Sequence, residues 1–119
     1  MYGPLVMAYM GDNIYEKYVR EYLIKKGISK VGELQEASLK YVSARSQKKH
    51  LERLINNNFL TEEELEIVKW GRNAKGTKSK TTDIITYRLA TGLETLIGTL
   101  YFSKKEERIT EIMNYILGE

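Results

Sequence analysis

Two stretches of this sequence each place one carboxylate among apolar residues. In residues 5–27, LVMAYMGDNIYEKYVREYLIKKG, a helix of 3.6 residues per turn puts Leu5, Ala8, Val19 and Leu23 on one face with Asp12 in its middle. Asp12 is also the only charged residue among the first fifteen. Gly11 beside it costs a mid-helix position about 1 kcal/mol relative to Ala. Two adjacent local costs point to a functional site rather than a packing solution. In residues 89–103, LATGLETLIGTLYFS, the single charge is Glu94, which shares a helical face with Tyr87, Ala90, Ile97, Gly98 and Tyr101. If the two helices cross at Asp12 and Glu94, the carboxylates repel and need a proton or a cation between them. Hard oxygen donors favour Mg2+ or Mn2+.

The elements that must position this pair are helical. Pro4 suits a first helical turn. The first helix should run to about Lys26, with Lys25 and Lys26 favourable at its end and Gly27 as its stop. Its other faces carry Tyr9, Tyr15, Tyr18 and Tyr22. These are either the rim of an amphipathic core helix or part of a subunit interface. Val31 to Ala37 reads as a brief helix. Leu39 to Asn56 reads as a second one, with Val42, Leu51, Leu54 and Ile55 inward and Arg45, Lys48, Lys49, His50 and Arg53 on a basic outer face. That face is either merely solvated or turned to RNA. His50 has no spaced His or Cys partner, which argues against a ligand role.

Thr61 and Glu64 form a capping box before Leu65, Ile67 and Val68, so the acids there have a structural reason. Residues 68–82, VKWGRNAKGTKSKTT, carry Lys69, Arg72, Lys75, Lys78 and Lys80 with no acid, and read as a glycine-punctuated loop suited to phosphate contacts. The spacing is not that of a phosphate-binding P-loop. Asp83 is a natural N-cap for a helix reaching Phe102. Lys104 to Leu117 forms a last amphipathic helix. With no strand-like alternation anywhere, the fold class is all-α, a helical bundle over residues 1–119 as one domain.

Composition narrows the rest. Hydrophobic residues make up 42% of 119, enough for a core, and the net charge of +3 is mild, so its distribution matters more than its sum. The absence of Cys removes disulfides and thiolate metal sites and suits a reducing cytosol. No apolar run approaches a membrane span, and MYGPLVMAYMGD lacks the basic start of a secretion signal.

GDNIYE at residues 11–16 resembles the signature helix of the ribonuclease III family, and ETLIG at 94–98 resembles its second motif. The runs AYMGDNIYEKYVR, VSARSQ, GRNAK and YRLATGLETLIGTLY resemble the bacterial Mini-ribonuclease III branch, which consists of bare nuclease domains without a double-stranded RNA-binding domain. The resemblance implies a ribonuclease III-type endonuclease fold and metal-dependent cleavage of double-stranded RNA, with Asp12 and Glu94 as catalytic and metal-holding residues. It implies Mg2+ as cofactor, with Mn2+ able to substitute. The family's other carboxylates align with Ala8, Thr91 and, more loosely, Ala44, so this site is thinner in acids and water would fill the open positions. Glu16, one turn after Asp12, is either an outer acid of the site or an i,i+4 partner of Arg20. Arg72, Lys75 and Lys78, then Arg45 and Lys49, are the expected RNA contacts. The resemblance also implies a homodimer with Tyr9 packing across its two-fold axis. Its implied substrate is precursor large-subunit (23S) ribosomal RNA in the cytoplasm, and it leaves room for a ribosomal-protein helper. The competing reading is a non-catalytic RNA-binding helical dimer on the same fold, argued from the missing carboxylates at positions 8 and 91.

Overall fold

The computed structural model describes residues 2–75 and 83–118, and every regular element among them is an α-helix. They are α1 (Pro4–Lys25), α2 (Val31–Val42), α3 (Ala44–Asn56), α4 (Glu62–Arg72), α5 (Ile84–Phe102) and α6 (Glu106–Leu117). The all-α bundle expected from the sequence is the fold.

Helix α5 is the axle. It is apolar nearly all round, so it must be surrounded, and it packs on α1, α3, α4 and α6. Its Thr91, Thr95 and Thr99 hydroxyls donate to the Tyr87, Thr91 and Thr95 carbonyls one turn back, and the Thr95 hydroxyl also lies 3.2 Å from the Pro4 carbonyl. Leu93, Leu96 and Ile97 are fully buried against Tyr15 and Val19 of α1, Leu51 and Leu54 of α3, and Ile109, Ile112, Met113 and Ile116 of α6.

The helix ends follow local chemistry. Gly27 takes φ +98 after α1, where a side chain would be strained. The capping box is complete: Thr61 Oγ1 accepts from the Glu64 amide and Glu64 accepts from the Thr61 amide. Asp83 caps α5 by accepting from the Thr86 amide and hydroxyl, and these bonds hold its carboxyl below the usual range. Glu64 has a second task. Burial pushes its carboxyl up, but hydrogen bonds from Arg108 and Thr61 overcome that and hold it below its ordinary value. Arg108 grips both Glu64 oxygens at 2.8 Å, donates to the Phe59 carbonyl and lies over the Phe59 ring. Loop 56–61, α4 and α6 are thereby locked together.

Several expectations need correction or are resolved. The break between the second and third helices falls at Ser43, not after Ala37. Ser43 has extended backbone and its hydroxyl accepts from the Ser46 amide, so α2 is longer and α3 shorter than hydrophobic periodicity indicates. Lys69 and Arg72 belong to the last turns of α4 rather than to a loop. His50 is not on the basic outer face but fully buried. Of the four tyrosines of α1, three are engaged within the fold. Tyr15 is in the core and donates to the Tyr41 carbonyl at 2.6 Å, Tyr18 meets Thr110 at 2.9 Å, and Tyr22 packs edge-on to Tyr41. Only Tyr9 projects outward, 85% exposed. Leu5 also turns to solvent rather than joining the inward face.

Candidate active site

The site is made by the crossing of α1 and α5. A Cβ built on Gly11 would overlap the Glu94 carbonyl, and one on Gly98 would overlap the Met7 carbonyl. Only glycine at both positions lets the backbones come this close. Gly11 is thus a packing device, contrary to the expectation that it marks chemistry directly. What it achieves is the meeting of the neighbouring side chains. Asp12 and Glu94 come close enough across the crossing for the Asp12 charge to act on the Glu94 carboxyl, as the two apolar faces implied.

That meeting shows in the protonation of the pair. Burial, then the Asp12 charge and the hydrogen bond with Asp12, push the Glu94 carboxyl up to about 8, against a smaller opposing effect of Gln47. Two oxygen-donor carboxylates brought together in a largely buried setting suit a hard divalent cation. Among the described residues no group of three His, Cys, Asp or Glu side chains is placed to hold a metal. Ala8 is buried and donor-free, and the Thr91 hydroxyl is committed to the Tyr87 carbonyl, so neither position adds a donor group.

Glu16 does two things at once. It pairs with Arg20 at 3.3 Å on the same helix, and its charge is the last and smallest effect felt by Glu94. Its side-chain hydrogen-bond partner is Arg20 rather than either acid of the pair.

The residue that sequence reasoning missed is Gln47 of α3. It is 2% exposed, and its Nε2 donates to Glu94 Oε2 at 3.3 Å. Ala44, the position aligned with the family's further glutamate, is one turn away and contributes no oxygen. A polar residue on the inward stripe with Leu51 and Leu54 was the available signal. It is the same signal that picked out Asp12 and Glu94, but without a charge to draw attention.

The expected RNA-contact residues are mostly exposed. Arg45, Lys49 and Lys75 are exposed and Arg72 is half-buried. Lys48 is near enough to lower the Asp83 carboxyl by its charge, which brings the basic side of α3 beside the start of α5. Lys78 and Lys80 lie outside the described residues. Large apolar side chains are also exposed: Tyr2, Leu5, Val6 and Tyr9 near the start of the chain and Tyr101 and Phe102 at the end of α5, with the Tyr2 and Phe102 rings 6.1 Å apart.

Comparison with known proteins places this arrangement. A family profile described as "Ribonuclease III domain" matches residues 5–105. The chain is 47% identical over 116 residues to Mini-ribonuclease 3 of Staphylococcus aureus, covering 97% of this chain and 87% of the relative. It is 52% identical over 112 residues to Mini-ribonuclease 3 of Brevibacillus brevis, covering 93% and 82%. A crystal structure of a Fusobacterium nucleatum protein superposes with a TM-score of 0.86 at 33% identity, covering 98% of this chain and 93% of that one. With a carboxylate pair at the crossing of its first and fifth helices and these relatives over nearly its whole length, the chain belongs to the ribonuclease III family, among the Mini-ribonuclease 3 proteins.

Proposed function

We propose that this protein is a divalent-metal-dependent endoribonuclease that cuts double-stranded RNA, acts as a homodimer, and matures precursor 23S ribosomal RNA in the cytoplasm. The observation that carries the reading is the Asp12–Glu94 pair, two acids brought together where Gly11 and Gly98 let α1 and α5 pack backbone to backbone. No packing need explains that expense.

Asp12 and Glu94 would hold Mg2+ or Mn2+, with water in the remaining positions. A cation there supplies an activated water and charge neutralisation at the scissile phosphate. The protein's own contribution is to fix both carboxylates on rigid helices. Arg72, Lys75, Arg45 and Lys49 would track the phosphates of an A-form duplex, whose shape and 2'-hydroxyls rather than base edges provide recognition. The exposed aromatic surface around Tyr9 would be the dimer contact, and a two-fold dimer sets one site to each RNA strand. A ribosomal-protein helper would act by presenting the RNA.

The second reading, an RNA-binding dimer without chemistry, has one observation in its favour: no third metal-ligating side chain joins the pair among the described residues. Cleavage of a long double-stranded RNA, with and without Mg2+, separates the two when wild type is run beside Glu94→Gln and Asp12→Asn. Metal-dependent cutting that both variants lose, with RNA binding kept, supports the enzyme. Binding without cutting by wild type, on duplex and on ribosomal precursor alike, supports the alternative.

A further inference from the structure

We propose that Gln47 is the positioning residue of this site: its side-chain amide holds the Glu94 carboxylate in the orientation from which it can share a cation with Asp12. The proposal rests on the metal-dependent reading above and assigns a role to a third helix.

Gln47 is the only buried side-chain amide among the described residues. It occupies a position on the inward face of α3, with Leu51 and Leu54 on the following turns, where an apolar residue would pack without penalty. Burying an amide costs about 1–3 kcal/mol unless a partner is supplied. Its side chain makes one hydrogen bond, from Nε2 to Glu94 Oε2. The group presented to the site is an N–H, which cannot ligate a cation but can orient an oxygen that does.

The backbone behind Gln47 is held unusually well. The start of α3 is capped by Ser43, and the Ser46 hydroxyl donates to the Leu39 carbonyl at 3.0 Å. One turn beyond Gln47, the buried His50 ring lies 3.3 Å by its Nε2 from the Lys40 carbonyl, receives a hydrogen bond from Arg53 on Nδ1, and stacks on Tyr41. Tyr41 in turn accepts from Tyr15, which lies one turn along α1 from Asp12. A continuous belt therefore runs from the Asp12 helix through the α2–α3 corner to Gln47 and across to Glu94.

Among the described residues Gln47 is the one side chain that donates a hydrogen bond to Glu94, and it reaches the site from a helix other than the two that carry the acids. Residues that orient metal-holding carboxylates in this way typically govern metal affinity by about 10–100-fold.

The test is Mn2+ affinity, read from the electron paramagnetic resonance signal of free Mn2+, on wild type, Gln47→Met, Gln47→Asn and Asp12→Asn. Met keeps the volume without the donor; Asn keeps an amide too short to reach. Positioning predicts that both Gln47 variants bind Mn2+ about 10–100-fold more weakly, with Gln47→Met unfolding near the wild-type temperature. Wild-type affinity in Gln47→Met overturns the proposal, because packing alone is then sufficient. Wild-type affinity in Asp12→Asn instead overturns the metal site itself, and the proposal with it. A measurement on wild type alone covers the case of poorly folded variants. The Gln47 side-chain NH2 resonances should shift on Mg2+ addition, and if they stay fixed while amides around Asp12 move, the proposal fails.

Discussion

Gly11 and Gly98 face each other across the α1–α5 crossing, and each occupies the only space its partner helix's backbone leaves. Gly11→Ala would drive a methyl into the Glu94 carbonyl, an overlap that no rotamer change relieves. Overpacking of this kind costs about 3 kcal/mol, which lowers the melting temperature by roughly 10 °C in a domain of this size. Circular dichroism during heating measures it, and cleavage should fall even at temperatures where Gly11→Ala is still folded, because the carboxylates are pushed apart.

The Asp12–Glu94 pair makes stability depend on pH in an unusual direction. The folded-state carboxyl of Glu94 is raised from 4.5 to about 8. The folded protein thus binds the proton more tightly than the unfolded chain, so this contribution is fully present below about 4.5 and is lost as the pH rises towards about 8. In EDTA the melting temperature should fall over that window, and Mg2+ should flatten the decline. Glu94→Gln should remove the decline and cleavage together. A wild-type profile that is flat in EDTA would count against the shared proton.

Arg108→Met should be among the most damaging changes far from the site. Glu64 has only 9% of its side chain exposed and would lose both Arg108 hydrogen bonds. Stranding a buried carboxylate costs about 3 kcal/mol, measurable by urea denaturation. The sign of the pH effect is opposite to that of Glu94. The Glu64 carboxyl is held below 4.5, so its contribution is present above that value and is lost on acidification.

Alanine at Arg72 or Lys75 should weaken duplex RNA binding about equally for all sequences. Each should reduce the slope of log affinity against log salt by about 1. Fluorescence anisotropy over a KCl series tests this, and an unchanged slope would remove that residue from the RNA surface. Arg45 and Lys49 should show smaller losses.

Tyr9→Asp places a charge in the most exposed aromatic position of the apolar surface. If that surface joins two protomers, the change should weaken the dimer by about 2 kcal/mol, roughly 30-fold. Sedimentation equilibrium reads the shift to monomer, with helix content unchanged.

What could be read from sequence, and what could not, divides along the range of the interactions. The caps at Thr61 and Asp83, the stop at Gly27 and the extents of α1 and α5 are local, and the residues declare them. Asp12 and Glu94 stood out because a charge on an apolar face is conspicuous without any knowledge of the partner. Gln47 and His50 are equally inward but neutral or ambiguous, so their faces could not be assigned until α3 was docked. Gly11 looked like a local cost, since its compensation lies on a helix more than eighty residues away. The tyrosines of α1 looked surplus because their partners, Tyr41 and Thr110, belong to other elements.

The threonine ladder of α5 ties these distances together. The Thr95 hydroxyl, whose shorter bond is to its own helix, also lies 3.2 Å from the Pro4 carbonyl, so it can share its hydrogen between residues 91 positions apart. The Asp12–Glu94 pair spans a similar separation, on α1 and α5, so it is assembled by tertiary packing and not by any local segment. A fragment that lacks either helix should hold neither the pair nor its raised carboxyl.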